Sequence, residues 1–367
     1  MEKPTMLEYI RDQGRALLET FHMRNVYCDP LVKVFQECNI KKMYILGSGT
    51  SYHASLAAKY YFEKYLQVEV EASIPTSFTN YTYININGAC QQAELLVLGI
   101  SQSGTSVSTI DAMKKARSAG IYTVAVTEDM DSLITNEVDL VVKLTCGKEL
   151  IPVETRGYTV TVLQAFLTAV LVAKALGKLT QADYEKLMQE TTQMLERYDE
   201  ILAVTEQWYE VHQCELLEMK HGIIASYGVN TGTAMEGVLK LYETFKQPMN
   251  AYELEEMIHG PHMAFGKQDY IFLVASDEVE FERVSLFTGF FRENKVTEHV
   301  FVFTNRQMEI SVTDLFYDFY IPIDLSPLVF ILPFQIIAAK NCIACGIDTS
   351  IRPANRKAFA HVYQEEG

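Results

Sequence analysis

The sequence predicts an α/β protein built on parallel sheets, and three observations carry that prediction. Strand-type runs alternate with helical patterns over residues 42–144. Two of those runs end in turns rich in glycine and hydroxyls, Gly47-Ser48-Gly49-Thr50-Ser51 and Ser101-Gln102-Ser103-Gly104-Thr105-Ser106, and each turn leads into a helical pattern. The second half of the chain then repeats the order strand, glycine turn, helix. Short strands separated by helices need crossover connections, which lay the strands side by side in parallel and cover both faces of the sheet.

Taken in order, residues 1–38 carry helical spacing with mixed charge and read as a helical lead-in. Lys42 to Leu46 is then a strand, Ser51 to Tyr65 a helix and Val68 to Ala72 a strand. Glu94 to Ile100 is a buried strand, Val107 to Ala119 a helix, and Tyr122 to Thr127 and Leu140 to Leu144 are strands. From Thr159 to about Lys220 the pattern is helical, and Thr180 to Tyr209 has the charged, heptad-like spacing of a connector. Gly222 to Tyr227 is a strand that runs into Gly228-Val229-Asn230-Thr231-Gly232, and Tyr270 to Ser276, His299 to Thr304 and Phe319 to Ile323 are further strands. An offset of 181 residues superposes Gly47 on Gly228, Thr50 on Thr231, Lys59 on Lys240 and Tyr61 on Tyr242, as a duplicated unit would. Domains are expected at 39–178 and 216–345, with a connector at 179–215 and a C-terminal tail at 346–367.

The chain has 367 residues, 49% of them hydrophobic, enough for a sizeable core and two or three domains. Its net charge of −16 argues against a nucleic-acid scaffold, which needs clustered Lys and Arg. An anionic ligand must then be held by local donors and dipoles against the overall field. The seven cysteines are scattered, and only Cys342 and Cys345 have CxxC spacing. These two lie in an apolar run without a second pair or a His cluster, which reads as a buried helix face. Met1 to Asp12 is charged and carries no signal segment, and Val160 to Leu176 is interrupted by Thr and Gln. A reduced, cytoplasmic protein with no membrane partner is therefore expected.

The two glycine turns carry the first chemical signal. Glycine lets a ligand approach the backbone, and the N–H groups at a helix start favour an anion. Ser51, Ser101, Gln102, Ser103 and Ser106 are the candidate donors to one phosphate. The same hydroxyls would also serve as helix caps, because a cap and an anion site share one geometry. A second signal is Glu236-Gly237-Val238-Leu239-Lys240-Leu241-Tyr242-Glu243, where Glu236, Lys240 and Glu243 fall on one helix face. A solvated ladder of ion pairs is the alternative. Beyond it, His259 precedes Gly260-Pro261, a constrained backbone that can hold an imidazole for proton transfer. A carboxylate and a positioned histidine are what sugar isomerisation requires, one base for the carbon-bound proton and one acid for the ring oxygen. No His, Asp or Glu cluster suggests a metal, and no cofactor is expected.

These motifs, in order and spacing, resemble those of the double SIS (sugar isomerase) proteins. The likeness is greatest to the isomerase half of glutamine–fructose-6-phosphate amidotransferase and to the fructosamine-6-phosphate deglycases. The matching segments are Gly49 to Tyr52, Ser101 to Gly104, Glu236 to Glu243, His259 to Pro261 and Leu332 to Gln335. The resemblance implies two tandem SIS domains, each a flavodoxin-like αβα sandwich. It places Gly49, Thr50, Ser51, Ser101, Gln102, Ser103 and Ser106 at the sugar phosphate. It makes Glu243 the carboxylate that shuttles a proton between sugar carbons, with Lys240 beside it, and His259 the ring-opening histidine supplied by a neighbouring subunit. A homodimer with shared active sites follows. Lys357 falls where the synthase has a C-terminal lysine that meets the sugar carbonyl.

Departures from the synthase pattern narrow the expectation. Residue 2 is Glu2, and no glutamine-hydrolysing domain precedes Lys41, so synthesis from glutamine is not expected. Glu149 matches the synthase, but Glu154-Thr155-Arg156-Gly157-Tyr158 departs from its Ser-Thr-Lys-Ala-Phe run, and Ile258 replaces a lysine. A carboxylate at Glu154 beside the site would favour a substrate bearing an amine, unless it pairs with Arg156 or is a loop charge. The expected function is deglycation or deamination of an aminated ketose or aldose 6-phosphate. Plain aldose–ketose isomerisation and a non-catalytic sugar-phosphate sensor are the alternatives.

Overall fold

A computed structural model describes residues 4–276, 279, 281–306 and 311–349. Two compact units divide the described chain, one of residues 15–189 and one of residues 4–14 with 190–349. Three helices open the chain: α1 (Met6–Arg11), α2 (Gln13–His22) and α3 (Arg24–Glu37). Thr5 and Glu8 start α1 with a reciprocal capping box, which satisfies two otherwise orphaned backbone donors.

In the first unit, β1 (Lys42–Leu46), α4 (Thr50–Leu66), β2 (Glu69–Ser73) and α5 (Pro75–Tyr81) are followed by β3 (Leu95–Ile100), α6 (Val107–Ser118), β4 (Tyr122–Thr127) and β5 (Leu140–Lys143). A long helix, α7 (Arg156–Ala175), closes the unit. The strands form one parallel sheet in the order β2-β1-β3-β4-β5. Central β3, Leu-Leu-Val-Leu-Gly-Ile, is buried at every residue, as a strand covered on both faces must be. On one face Tyr44, Leu46, Phe78, Val97, Met113 and Ala125 pack into a core against α5 and α6. On the other, α4 and α7 are tightly paired, with Tyr61 edge-on to Phe166 at 5.5 Å.

The boundary between the units falls within α8 (Gln181–Glu196). The second unit then runs α9 (Tyr198–Glu218), β6 (His221–Ser226), α10 (Thr231–Glu243), β7 (Met249–Glu253), β8 (Asp269–Ala275), α11 (Phe281–Glu293), β9 (His299–Thr304), β10 (Leu315–Phe316), α12 (Ser326–Phe330) and α13 (Leu332–Ala344). Its parallel sheet has the order β7-β6-β8-β9-β10, which is the same second-first-third-fourth-fifth order as in the first unit. Both are flavodoxin-type sheets, as the fold class requires. Helix α1 belongs to this unit, where Gln13 donates to buried Gln335 of α13 at 2.8 Å.

Two expectations need correction, and two elements are additional. Phe319–Ile323 is not a strand; the edge is the two-residue β10, and Pro322 denies the later run a ladder donor. Strand β7 and helix α5 had no sequence signal strong enough to announce them. Two helical stretches, Arg156–Ala175 and Ile323–Ala344, do reach the length and hydropathy of a membrane span, and both are 83% buried. In α7 the polar residues do not interrupt the run, because Thr161 and Thr168 donate to the carbonyls of Gly157 and Gln164 one turn back.

Candidate active site

Register fixes where the glycine turns lie. Leu46 pairs with Gly99 across β1 and β3, so the turns that follow these strands emerge side by side at the carboxyl rim. This is the point where strand order reverses, the place at which open parallel sheets bind ligands. Gly49, with φ +56°, stands at the N-cap of α4, followed by buried Thr50 and by Ser51, whose N–H donates to Ser48 O at 3.2 Å. In the second turn Ser101 is buried and its carbonyl accepts from Gly104 N at 3.0 Å. Gly104 has φ +65°, and a Cβ there would stand 1.8 Å from Ser132 Oγ, so both conformation and space demand glycine. Ser103 Oγ lies 2.9 Å from Thr105 Oγ1. Ser106 occupies the N-cap of α6 without capping it; its hydroxyl accepts from Thr109 Oγ1 at 3.0 Å. Neither α4 nor α6 has a side-chain hydrogen bond at its N-cap.

The N-terminal end of α7 borders this turn through Gln102. With its amide nitrogen facing the carboxylate, Gln102 donates to Glu154 Oε2 and Oε1 at 3.0 and 3.3 Å. Glu149 works on the helix itself, accepting from Thr155 N, Thr155 Oγ1 and Gly157 N at 3.1, 3.0 and 2.8 Å. Burial pushes the nearby Cys146 thiol well above its ordinary range, and Glu149 and Glu154 push it further while Arg156 opposes them. Arg156 is buried and donates to Lys148 O at 3.4 Å.

In the second unit α10 brings three charged side chains together. Lys240 Nζ lies 3.2 Å from Glu236 Oε1 and 2.8 Å from Glu243 Oε2, one turn away on either side. The side chains of Glu236 and Lys240 are wholly buried, whereas that of Glu243 is 34% exposed. The solvated ladder is thus excluded for this helix. Burying an ion costs several kcal/mol, so such a cluster needs each charge compensated at short range. Glu236, which the sequence reading set on the same face without assigning it a role, is the inner partner. Its i, i+4 spacing to Lys240 was the available signal.

Other expected residues lie elsewhere. His259 follows the short 3-10 turn Glu256–Ile258 beyond β7; it is exposed, and its backbone N–H donates to Glu256 O at 3.2 Å. Helix α10 runs back along β6 and β7, and Tyr242 OH at its end reaches Met249 O, the start of β7. Glu243 and His259 of one chain consequently belong to opposite rims of the same sheet, separated by the five residues of β7, about 16 Å. Among the described residues no hydrogen bond joins His259 to Lys240 or Glu243. Lys357 lies outside the described residues. No group of three or more His, Cys, Asp or Glu among the described residues could hold a metal ion.

The second unit's own reversal point is filled from within. Asn230, wholly buried, donates to Ser276 Oγ at 2.9 Å and Ser326 Oγ at 2.8 Å and accepts from Thr233 Oγ1 at 3.0 Å.

Comparison with known proteins agrees with this geometry. Residues 38–174 match the SIS domain family. A glutamine–fructose-6-phosphate aminotransferase (isomerizing) from Fusobacterium nucleatum is 26% identical over 260 residues, 70% of this chain and 42% of that protein. The chain spans about half the length of the curated relatives it matches, between 40% and 57%. A crystal structure from Clostridium difficile 630, provisionally assigned as a phosphosugar isomerase, superposes with a TM-score of 0.88 at 26% identity and covers 98% of each chain. The C-terminal domain of glucosamine-fructose-6-phosphate aminotransferase from Francisella tularensis shares the fold, with a TM-score of 0.83 at 22% identity over 96% of this chain and 99% of that one. The glycine turns at a sheet's reversal point lie within the segment that matches the SIS domain family, residues 38–174.

Proposed function

We propose that this protein is an enzyme acting on an aminated ketose or aldose 6-phosphate, in which a proton moves between C1 and C2 to give an imine, and water adds to the imine carbon so that the amine leaves and a carbonyl remains. Phosphate binding is assigned to Gly49, Thr50, Ser51, Ser101, Ser103 and Ser106 of the first unit, and proton transfer to Glu243 of the second. The observation that carries the reading is Lys240, buried between Glu236 and Glu243, with only Glu243 reaching solvent. A buried ion cluster adds little to stability for its desolvation cost, and it is a common arrangement where a carboxylate must be held for acid–base work. Lys240 fixes the Glu243 carboxylate at 2.8 Å and leaves its other oxygen for the substrate.

His259 serves as the acid that opens the sugar ring, and it does so in the site that holds the Glu243 of a second copy in a homodimer. Support comes from the opposite-rim positions of the two residues within one unit, and from Met263, 84% exposed on the turn that carries His259. Glu149 stays with α7 as its cap, and Glu154 lies at the border of the phosphate turn.

The test is incubation with fructosamine 6-phosphate, glucosamine 6-phosphate and fructose 6-phosphate, following amine release and sugar interconversion. Turnover of an aminated substrate, lost by at least about 100-fold in Glu243→Gln while binding persists, is the expected result. Binding of all three with no conversion would leave a sensor, and undiminished turnover in Glu243→Gln would remove the assigned base.

A further inference from the structure

We propose that the segment following β4, pinned by Lys143, is a brace that aims the second glycine turn at a phosphate, with Thr127, Glu128 and Lys143 as its positioning residues. The inference rests on the sugar-phosphate reading above and names what holds that same site in shape. Two donors converge on one carbonyl of the turn: Glu128 N at 3.0 Å and the Thr127 hydroxyl at 3.2 Å both reach Gln102 O. A carbonyl has two lone pairs, so this one is fully engaged. The Gln102–Ser103 peptide is trans, and its N–H therefore points away from its carbonyl. Among the described residues nothing accepts the Ser103 N–H, and Ser103 is exposed. Holding Gln102 O on one side thus presents a backbone donor to an anion on the other.

The same segment fixes the turn at a second point. Ile134 N donates to Gly104 O at 3.0 Å. Ser132 Oγ donates to Asp129 O at 2.6 Å, and so stays in the space that a side chain at residue 104 would take. The Thr127 hydroxyl also reaches Asp129 O, at 3.5 Å. Lys143 stands opposite Thr127 in the register of β4 and β5. Its Nζ donates to the Glu128 carbonyl and, at 3.1 Å, to Glu128 Oε1. Its own carbonyl accepts from Gln164 of α7 at 2.9 Å. Two strands and a helix therefore hold the brace, and Lys143 acts on the turn through main-chain groups.

Calorimetry with fructose 6-phosphate and amide NMR test the brace. In the wild-type protein the Ser103 amide proton should move downfield as the sugar binds. Thr127→Val keeps the volume and every charge and removes one donor to Gln102 O. It should weaken fructose 6-phosphate binding about tenfold and shrink the Ser103 shift at saturation. Lys143→Met changes a side chain that is 41% exposed, and it decides the matter if Thr127→Val does not fold. It should weaken the sugar to a similar extent with the circular dichroism retained. Its affinity relative to wild type should be the same in about 0.5 M sodium chloride, because a main-chain tie is not screened. Recovery to the wild-type affinity in salt would make Lys143 a distant counter-charge and overturn its place in the brace. Unchanged affinity and Ser103 shift in either folded variant, whatever its melting temperature, would make the segment merely structural and overturn the proposal. Wild-type binding without a Ser103 shift overturns it too. If the wild-type protein does not bind the sugar at all, the sugar-phosphate reading itself fails.

Discussion

Lys240 is the residue on which the proposed chemistry turns, and its surroundings explain why. Position ten of α10 carries a wholly buried ammonium group, held by Glu236 one turn before and Glu243 one turn after. Lys240→Met would leave Glu236 as a buried carboxylate without this partner, a change expected to cost about 3–5 kcal/mol. Urea unfolding measures it, and the double variant Glu236→Gln with Lys240→Met should recover part of the loss while remaining inactive. The spacing of the three charges was readable from the sequence, but their burial was not. Lys59 holds the same position in α4, yet there the lysine is part-exposed, pairs with Glu63 and donates to Val70 O at 2.9 Å. One pattern thus yields a surface pair in one unit and an inner cluster in the other. Only packing against neighbouring elements separates the two outcomes.

At the scale of elements, the proposed phosphate site is made by turns that depend on glycine. Gly104→Ala sets a Cβ on Ser132 Oγ and forces a left-handed conformation on alanine. It should abolish sugar-phosphate binding and lower the melting temperature. Gly88→Ala, also at positive φ but with nothing within 4 Å, is the control and should cost only about 1–2 kcal/mol of backbone strain. Comparison of the two by calorimetry isolates the contact with Ser132, and equal effects would mean that the turn tolerates rearrangement. The turns were legible because glycine and hydroxyls after a buried strand have few other uses. Strand β7, Met-Asn-Ala-Tyr-Glu, was not, since it lacks the β-branched residues that mark strands and gains its place by pairing with β6. Glu149 was matched to the synthase from resemblance alone; its hydrogen bonds to the start of α7 became visible only with the backbone in place.

For the whole molecule, duplication supplied two sheets of one topology and the units then diverged. The first keeps an uncapped pair of helix starts at its reversal point, while Asn230 fills the second from within. The 181-residue offset hinted at the repeat through four identities, and the shared strand order now gives it a physical basis. If His259 acts in the site that holds the Glu243 of another copy, two inactive variants should complement each other. Glu243→Gln mixed with His259→Ala should regain activity as hybrid dimers form, because one site in each hybrid has both residues intact. Mixtures as inactive as their parents, with dimers confirmed by sedimentation, would place both residues in one chain's site. The central claim is proton transfer by Glu243, and deuterium exchange reads it most directly. In D2O, the wild-type protein with glucosamine 6-phosphate should incorporate deuterium at the carbon next to the carbonyl, followed by NMR. Glu243→Gln should bind the same sugar and leave that proton in place, and exchange at the wild-type rate in this variant would contradict the account.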